Sequence, residues 1–77
     1  MKTILVTGTS SGIGYQICAQ AAAKNLKVIS VSRNIKPLKF LEGVESHSLD
    51  ITDKEAVAEF VQFLINKKVK IDFLINN

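Results

Sequence analysis

One octapeptide near the start of the chain, Thr7-Gly8-Thr9-Ser10-Ser11-Gly12-Ile13-Gly14, constrains the fold more than anything else in the 77 residues. It follows a short apolar run, Ile4-Leu5-Val6, and precedes a longer segment with apolar residues at three-to-four spacing. A chain that turns sharply from strand to helix needs glycine where a side chain would collide or where φ must be positive. Backbone N–H groups of such a turn, with the positive end of the following helix behind them, make a cradle for an anion such as a pyrophosphate. Gly8, Gly12 and Gly14 occupy the turn and the close approach, and Ser10 and Ser11 add hydroxyl donors. The spacing is G-x-x-x-G-x-G. An isolated triplet of this kind could be a plain turn, so its surroundings decide. No Gly-Lys-Ser/Thr follows, which argues against a nucleoside-triphosphate loop.

The rest of the chain alternates short apolar runs with helical periods. Residues 2–7 read as a strand whose consecutive core residues mark burial on both faces, as in a parallel sheet. Residues 13–25 read as a helix with Ile13, Ile17, Cys18, Ala21 and Ala22 on one stripe and Asn25 as its stop. A second strand follows at 27–32. Pro37 suits the first turn of a short helix ended by Gly43. Residues 44–49 suit an edge strand. Thr52-Asp53-Lys54-Glu55 reads as a capping box, with Thr52 as the cap, opening a helix to about residue 67. Val57, Phe60, Val61, Leu64 and Ile65 form its apolar stripe, with Phe63 nearer the margin. A fourth strand is expected at 71–75. The order β-α-β-α-β-α-β implies an α/β fold with parallel strands, right-handed crossovers and helices on both faces. The expected strand order is 3-2-1-4, a partial Rossmann (doubly wound) sheet filling one domain, residues 1–77.

Two more positions carry chemistry. Dinucleotide sites that take NAD place an acid at the end of the second strand for the ribose hydroxyls. Ser32 and Arg33 stand there instead. A guanidinium can bind a 2′-phosphate through two parallel hydrogen bonds, which favours NADP(H) over NAD(H). The plainer alternative is a surface arginine. Asp50 ends the third strand at the carboxyl edge of the sheet, where open α/β sheets bind ligands, or it simply flanks the next helix.

Composition excludes other classes. One cysteine, Cys18, permits no intrachain disulfide, and with one histidine, His47, it gives no metal site. Cys18 is expected to be buried and inert; for His47 a surface position is favoured over one at the cofactor rim, and both are open. The net charge of +3 is mild. Lys67, Lys68 and Lys70 read as a solvated turn, and no basic face for nucleic acid is visible. No apolar run is long enough for a signal peptide or a membrane span, so a cytoplasmic protein is expected.

Together these motifs resemble the short-chain dehydrogenase/reductase family over essentially the whole chain. Thr7 to Gly14 resembles its T-G-x-x-x-G-[IL]-G motif. Leu49-Asp50-Ile51-Thr52 resembles its adenine-pocket segment, and Ile71-Asp72-Phe73-Leu74-Ile75-Asn76-Asn77 the start of its N-N-A-G motif. The resemblance implies that Gly8, Ser10, Ser11, Gly12, Ile13 and Gly14 line the pyrophosphate. Ser32, Arg33 and Asn34 would face the adenosine ribose and its 2′-phosphate, and Asp50 and Ile51 would flank adenine. Asn76 and Asn77 would fix the fourth strand against the first and approach the ribose. The family's catalytic Tyr-x-x-x-Lys is not present: the one tyrosine, Tyr15, has Ala19 four residues on. The chain is therefore expected to be the truncated cofactor-binding portion of an oxidoreductase acting on an alcohol or carbonyl, with no catalytic residue of its own. A different expectation rests on the apolar strand 71–75, which as an edge would favour self-association or a partner that covers it.

Overall fold

The computed structural model describes residues 1–10 and 12–77; Ser11 and the side chain of Phe40 lie outside the described residues. Four strands, β1 (Thr3–Thr7), β2 (Lys27–Ser32), β3 (Val44–Ser48) and β4 (Phe73–Ile75), alternate with α1 (Gly12–Ala23), a short 3-10 helix (Lys36–Phe40) and α2 (Lys54–Asn66). The sheet order is β3-β2-β1-β4, with every pair parallel. Thr3 to Thr7 pair with Lys27 to Val31, and Ile4 to Val6 with Phe73 to Ile75. This is the expected Rossmann-type order, with β3 at one edge and β4 at the other.

Side chains alternate between the faces of a strand, so the two faces can be read separately. On one, Ile4, Val6 and Val28 pack with Cys18 and Ala21 of α1 and with Leu38 of the 3-10 helix. Pro37 lies in the first turn of that helix, as expected. On the other, Leu5, Val31 and Leu74 face Val57, Phe60, Val61 and Leu64 of α2 across an apolar gap of about 280 Å³.

Several local expectations shift. Ile13 is 72% exposed rather than on the core stripe of α1, because Gly14, Cys18 and Ala21 take the inward face. In α2 only Leu64 is buried; Val61 and Ile65 are exposed, so its stripe is only partly covered. Asp53, not Thr52, caps α2, its Oδ1 accepting from the Ala56 N–H at 3.1 Å. Thr52 is turned towards Asp50 instead. β4 is shorter than expected, because residues 71–72 serve to anchor it: Asp72 Oδ2 accepts from the Thr3 N–H at 2.8 Å, and the Asp72 N–H donates to the Thr3 carbonyl at 2.9 Å.

Candidate functional site

The carboxyl ends of β1, β2 and β3 converge, and the glycine loop folds across them. Gly8 holds φ at +64°, and its N–H donates to the Val31 carbonyl at 3.0 Å. Thr9 is fully buried, with its hydroxyl 3.5 Å from the same carbonyl. One peptide oxygen of β2 thus pins two successive loop residues. Gly14 is buried directly beneath Gly8. A Cβ there would fall on the Gly8 carbonyl oxygen and lie 2.7 Å from Asn77 Nδ2. Asn77 in turn donates from Nδ2 to the Gly8 carbonyl at 2.9 Å and from its N–H to Thr7 Oγ1 at 3.1 Å. The Thr7 hydroxyl donates to Asn76 Oδ1 at 3.1 Å. The end of β4 is therefore stitched to the glycine loop through three hydrogen bonds.

The loop after β2 is held with equal economy. The Ser32 hydroxyl is buried and donates to the Asn34 carbonyl at 2.9 Å, while Asn34 Oδ1 accepts from the Lys36 N–H at 3.1 Å. The Ser48 hydroxyl donates to the Arg33 carbonyl at 3.0 Å, and the Leu49 N–H to the Ser32 carbonyl at 2.9 Å. These bonds fix the Arg33 backbone and leave its side chain exposed; among the described residues it takes part in no ion pair. Asp50 Oδ1 accepts from both the Thr52 hydroxyl, at 2.7 Å, and the Thr52 N–H, at 2.9 Å. Those two bonds, with a smaller pull from Arg33, hold the Asp50 carboxyl below its ordinary 3.8. It is an anion at neutral pH.

Gly8, Ser10, Ser32, Arg33, Asn34, Asp50, Ile51 and Asn77 line one cleft of about 420 Å³. Gly12 and Ile13 open instead onto a groove along the outer side of α1, shared with Tyr15, Gln16, Gln20 and Pro37, and Ser10 lines both. Gly14 lies under the loop, Asn76 faces the apolar gap beside α2, and Ser11 is outside the described residues. Sequence patterning did not single out Thr9, Ser48 or the bond from Thr52 to Asp50. A buried loop threonine leaves no periodic trace, and Thr52 in front of an acid reads equally well as a helix cap.

Other candidates are structural. Burial pushes the Cys18 thiol up to about 11, so it is neither thiolate nor nucleophile at neutral pH. His47 is not a free surface residue. Its Nε2 lies 2.6 Å from Glu45 Oε2, and its ring packs 5.0 Å and 5.4 Å from those of Phe60 and Phe63. Among the described residues no group of His, Cys, Asp or Glu could hold a metal, and no helix is long and apolar enough to cross a membrane.

Comparison with known proteins gives one consistent result. The family model described as short chain dehydrogenase matches residues 2–77. (-)-Isopiperitenone reductase of Mentha piperita is 42% identical over 95% of this chain, which covers 27% of that protein. A short chain dehydrogenase from Leptospira borgpetersenii with bound NAD+ superposes with a TM-score of 0.90 at 26% identity, over 97% of this chain and 30% of that one. An actinorhodin polyketide ketoreductase variant with NADPH does so with a TM-score of 0.85 at 25% identity, over 99% and 32%. The chain spans about a third or less of these proteins.

Proposed function

The chain belongs to the short-chain dehydrogenase family, and from that premise we propose that residues 1–77 form the cofactor-binding part of an oxidoreductase that prefers NADP(H) to NAD(H). The parent reaction is the interconversion of an alcohol and a carbonyl, for which the bound dinucleotide supplies or accepts a hydride. In this reading Gly8, Ser10, Gly12 and Ile13 border the pyrophosphate, and Gly14 shapes the loop from below. Asp50 and Ile51 flank adenine: the Thr52 bonds both land on Asp50 Oδ1, which leaves Oδ2 to accept from an amine. Asn34 and Asn77 border the ribose, with Asn76 behind. Ser11 is assigned to the loop by sequence alone. The Ser32 hydroxyl is committed to the Asn34 carbonyl, so Ser32 acts by holding the loop that presents Arg33. No residue of the chain is given a catalytic role.

The observation that carries the NADP(H) preference is Arg33, held by its backbone at the cleft, with a guanidinium in no ion pair among the described residues. A 2′-phosphate offers it a bidentate partner that a ribose hydroxyl does not. Calorimetric titration tests this. NADPH should bind more tightly than NADH, and Arg33→Ala should weaken NADPH by about 1–3 kcal/mol while leaving NADH nearly unchanged. Equal affinities for the two cofactors overturn the preference. Failure of both NADPH and adenosine 2′,5′-bisphosphate at millimolar levels overturns binding itself.

A second reading, self-association or a partner over β4, is favoured by one observation: Leu74 is 63% exposed on the edge strand, beside the apolar gap under α2. Sedimentation of the chain as a clean monomer at high concentration would remove self-association.

A further inference from the structure

The end of the sheet opposite the cleft gathers charges that are scattered in the sequence. The Lys27 N–H donates to the Lys2 carbonyl at 2.9 Å, which sets the starts of β1 and β2 side by side. The Asp72 bonds to Thr3 bring Lys70 to the same place, and the turn ending α2 brings Lys67 and Lys68. Lys2, Lys27, Lys67, Lys68 and Lys70 thus line one depression of about 470 Å³. Five of the chain's ten Lys and Arg residues stand there against one carboxylate, Asp72. Lys70 lies 3.7 Å from that carboxylate; among the described residues the other four lysines are in no ion pair.

A solvated turn at the end of a helix accounts for Lys67 and Lys68, which complement the α2 dipole. It does not account for Lys2 and Lys27, which come from the other side of the depression. Like charges held around one hollow repel, and a counter-anion relieves that cost. Ammonium groups on flexible stems suit clustered phosphate oxygens, which ask for charge rather than a planar fork. Lys2 Nζ rests 5.7 Å from the Phe73 ring centroid and Lys67 Nζ 5.6 Å from that of Phe63, which leaves Lys27 and Lys68 as the lysines with neither an ion pair nor a ring contact among the described residues. The five lysines line a hollow and do not track a strip, which fits a compact anion better than a nucleic-acid strand.

We propose that this depression binds a compact multivalent phosphate anion free in solution, at a site separate from the dinucleotide cleft. Inorganic tripolyphosphate is the probe, titrated by calorimetry into the full chain at low salt. Saturable binding is expected, weakening at least several-fold when the ionic strength rises tenfold. Lys27→Gln with Lys68→Gln should weaken it about tenfold, at the upper range of exposed charge pairs. Lys39→Gln with Lys54→Gln removes the same net charge away from the depression and should leave binding within about twofold. Circular dichroism checks that each variant is folded, and Lys67→Gln with Lys70→Gln serves as a second pair if the first is not. Equal loss in the depression and control pairs would mean a net-charge effect and overturn the site. So would absence of binding by the unaltered chain, or binding to phosphatidylcholine vesicles carrying a tenth phosphatidylinositol bisphosphate without any response to free tripolyphosphate.

Discussion

Lys68 holds φ at +56° although it has a Cβ, and Asn25 does the same at +63°. Both stand just past a helix in the same arrangement. The N–H groups of Asn25 and Leu26 donate to the carbonyls of Ala22 and Ala21, and those of Lys68 and Val69 to Ile65 and Leu64. Such ends favour glycine and tolerate asparagine, which is why Asn25 was legible as a stop and Lys68 was not. Lys68→Gly should stabilise the chain by about 0.5–1 kcal/mol, read as a shift in the urea midpoint at constant slope. Asp50 makes a separate prediction. Its folded carboxyl titrates below the ordinary 3.8, so the unfolded chain binds its proton more readily. The stability it contributes is complete above the unfolded value and is lost as pH falls through the lower, folded one. Asp50→Asn should therefore flatten the acid limb of stability below about pH 4. Thr52→Val should raise the Asp50 titration in an NMR pH series, because the first of its two Thr52 bonds is removed.

At the scale of elements, the helices differ in how they meet the sheet. α1 starts with Gly14 pressed beneath the Gly8 carbonyl, so its first turn and the end of β1 behave as one piece. The glycine spacing announced the strand-loop-helix unit, but not which glycine serves contact and which openness. A Cβ on Gly12 would meet nothing within 4 Å, whereas one on Gly14 would strike backbone. Gly14→Ala should cost about 1–3 kcal/mol, by the usual penalty for forcing atoms into a packed site. The measurement is chemical denaturation, and the loss should be accompanied by faster amide exchange at residues 76–77, because Asn77 sits on the same contact. For α2, the capping pattern identified a helix start correctly to within one residue. Asp53 displaced Thr52 as cap because Asp50 captured the threonine hydroxyl, a competition that spacing alone does not resolve.

Across the whole molecule the sheet is buried on both faces, with Ile29 and Val31 closed off on the α2 side, but the two helices are covered unequally. The α1 face closes over Ile4, Val6, Val28, Cys18, Ala21 and Leu38, while α2 buries only Leu64 and leaves Ile65 61% exposed. Stability should follow that asymmetry. In native-state hydrogen exchange, amides of α2 should open at lower free energy than those of β1 and β2, since local opening tracks the apolar contact that must be broken. Equal protection in α2 and the central strands would contradict this reading.

Local patterning along the chain was enough to specify the alternation of strands and helices, their parallel order 3-2-1-4 and the glycine loop at the first crossover. These depend on local periodicity, turn chemistry and the fixed hand of crossovers, all of which are written along the chain. Tertiary structure alone decided which residues share a cleft and which do not. Arg33 and Asp50 meet there because Ser48, Ser32 and Leu49 lock two loops together, and Asn77 joins them through its bond to the Gly8 carbonyl, while Gly14 is consumed in packing beneath Gly8. Tertiary structure also drew Lys2 and Lys27 to the lysines at the end of α2. Contacts of that kind join residues remote in the chain, and no period or spacing records them.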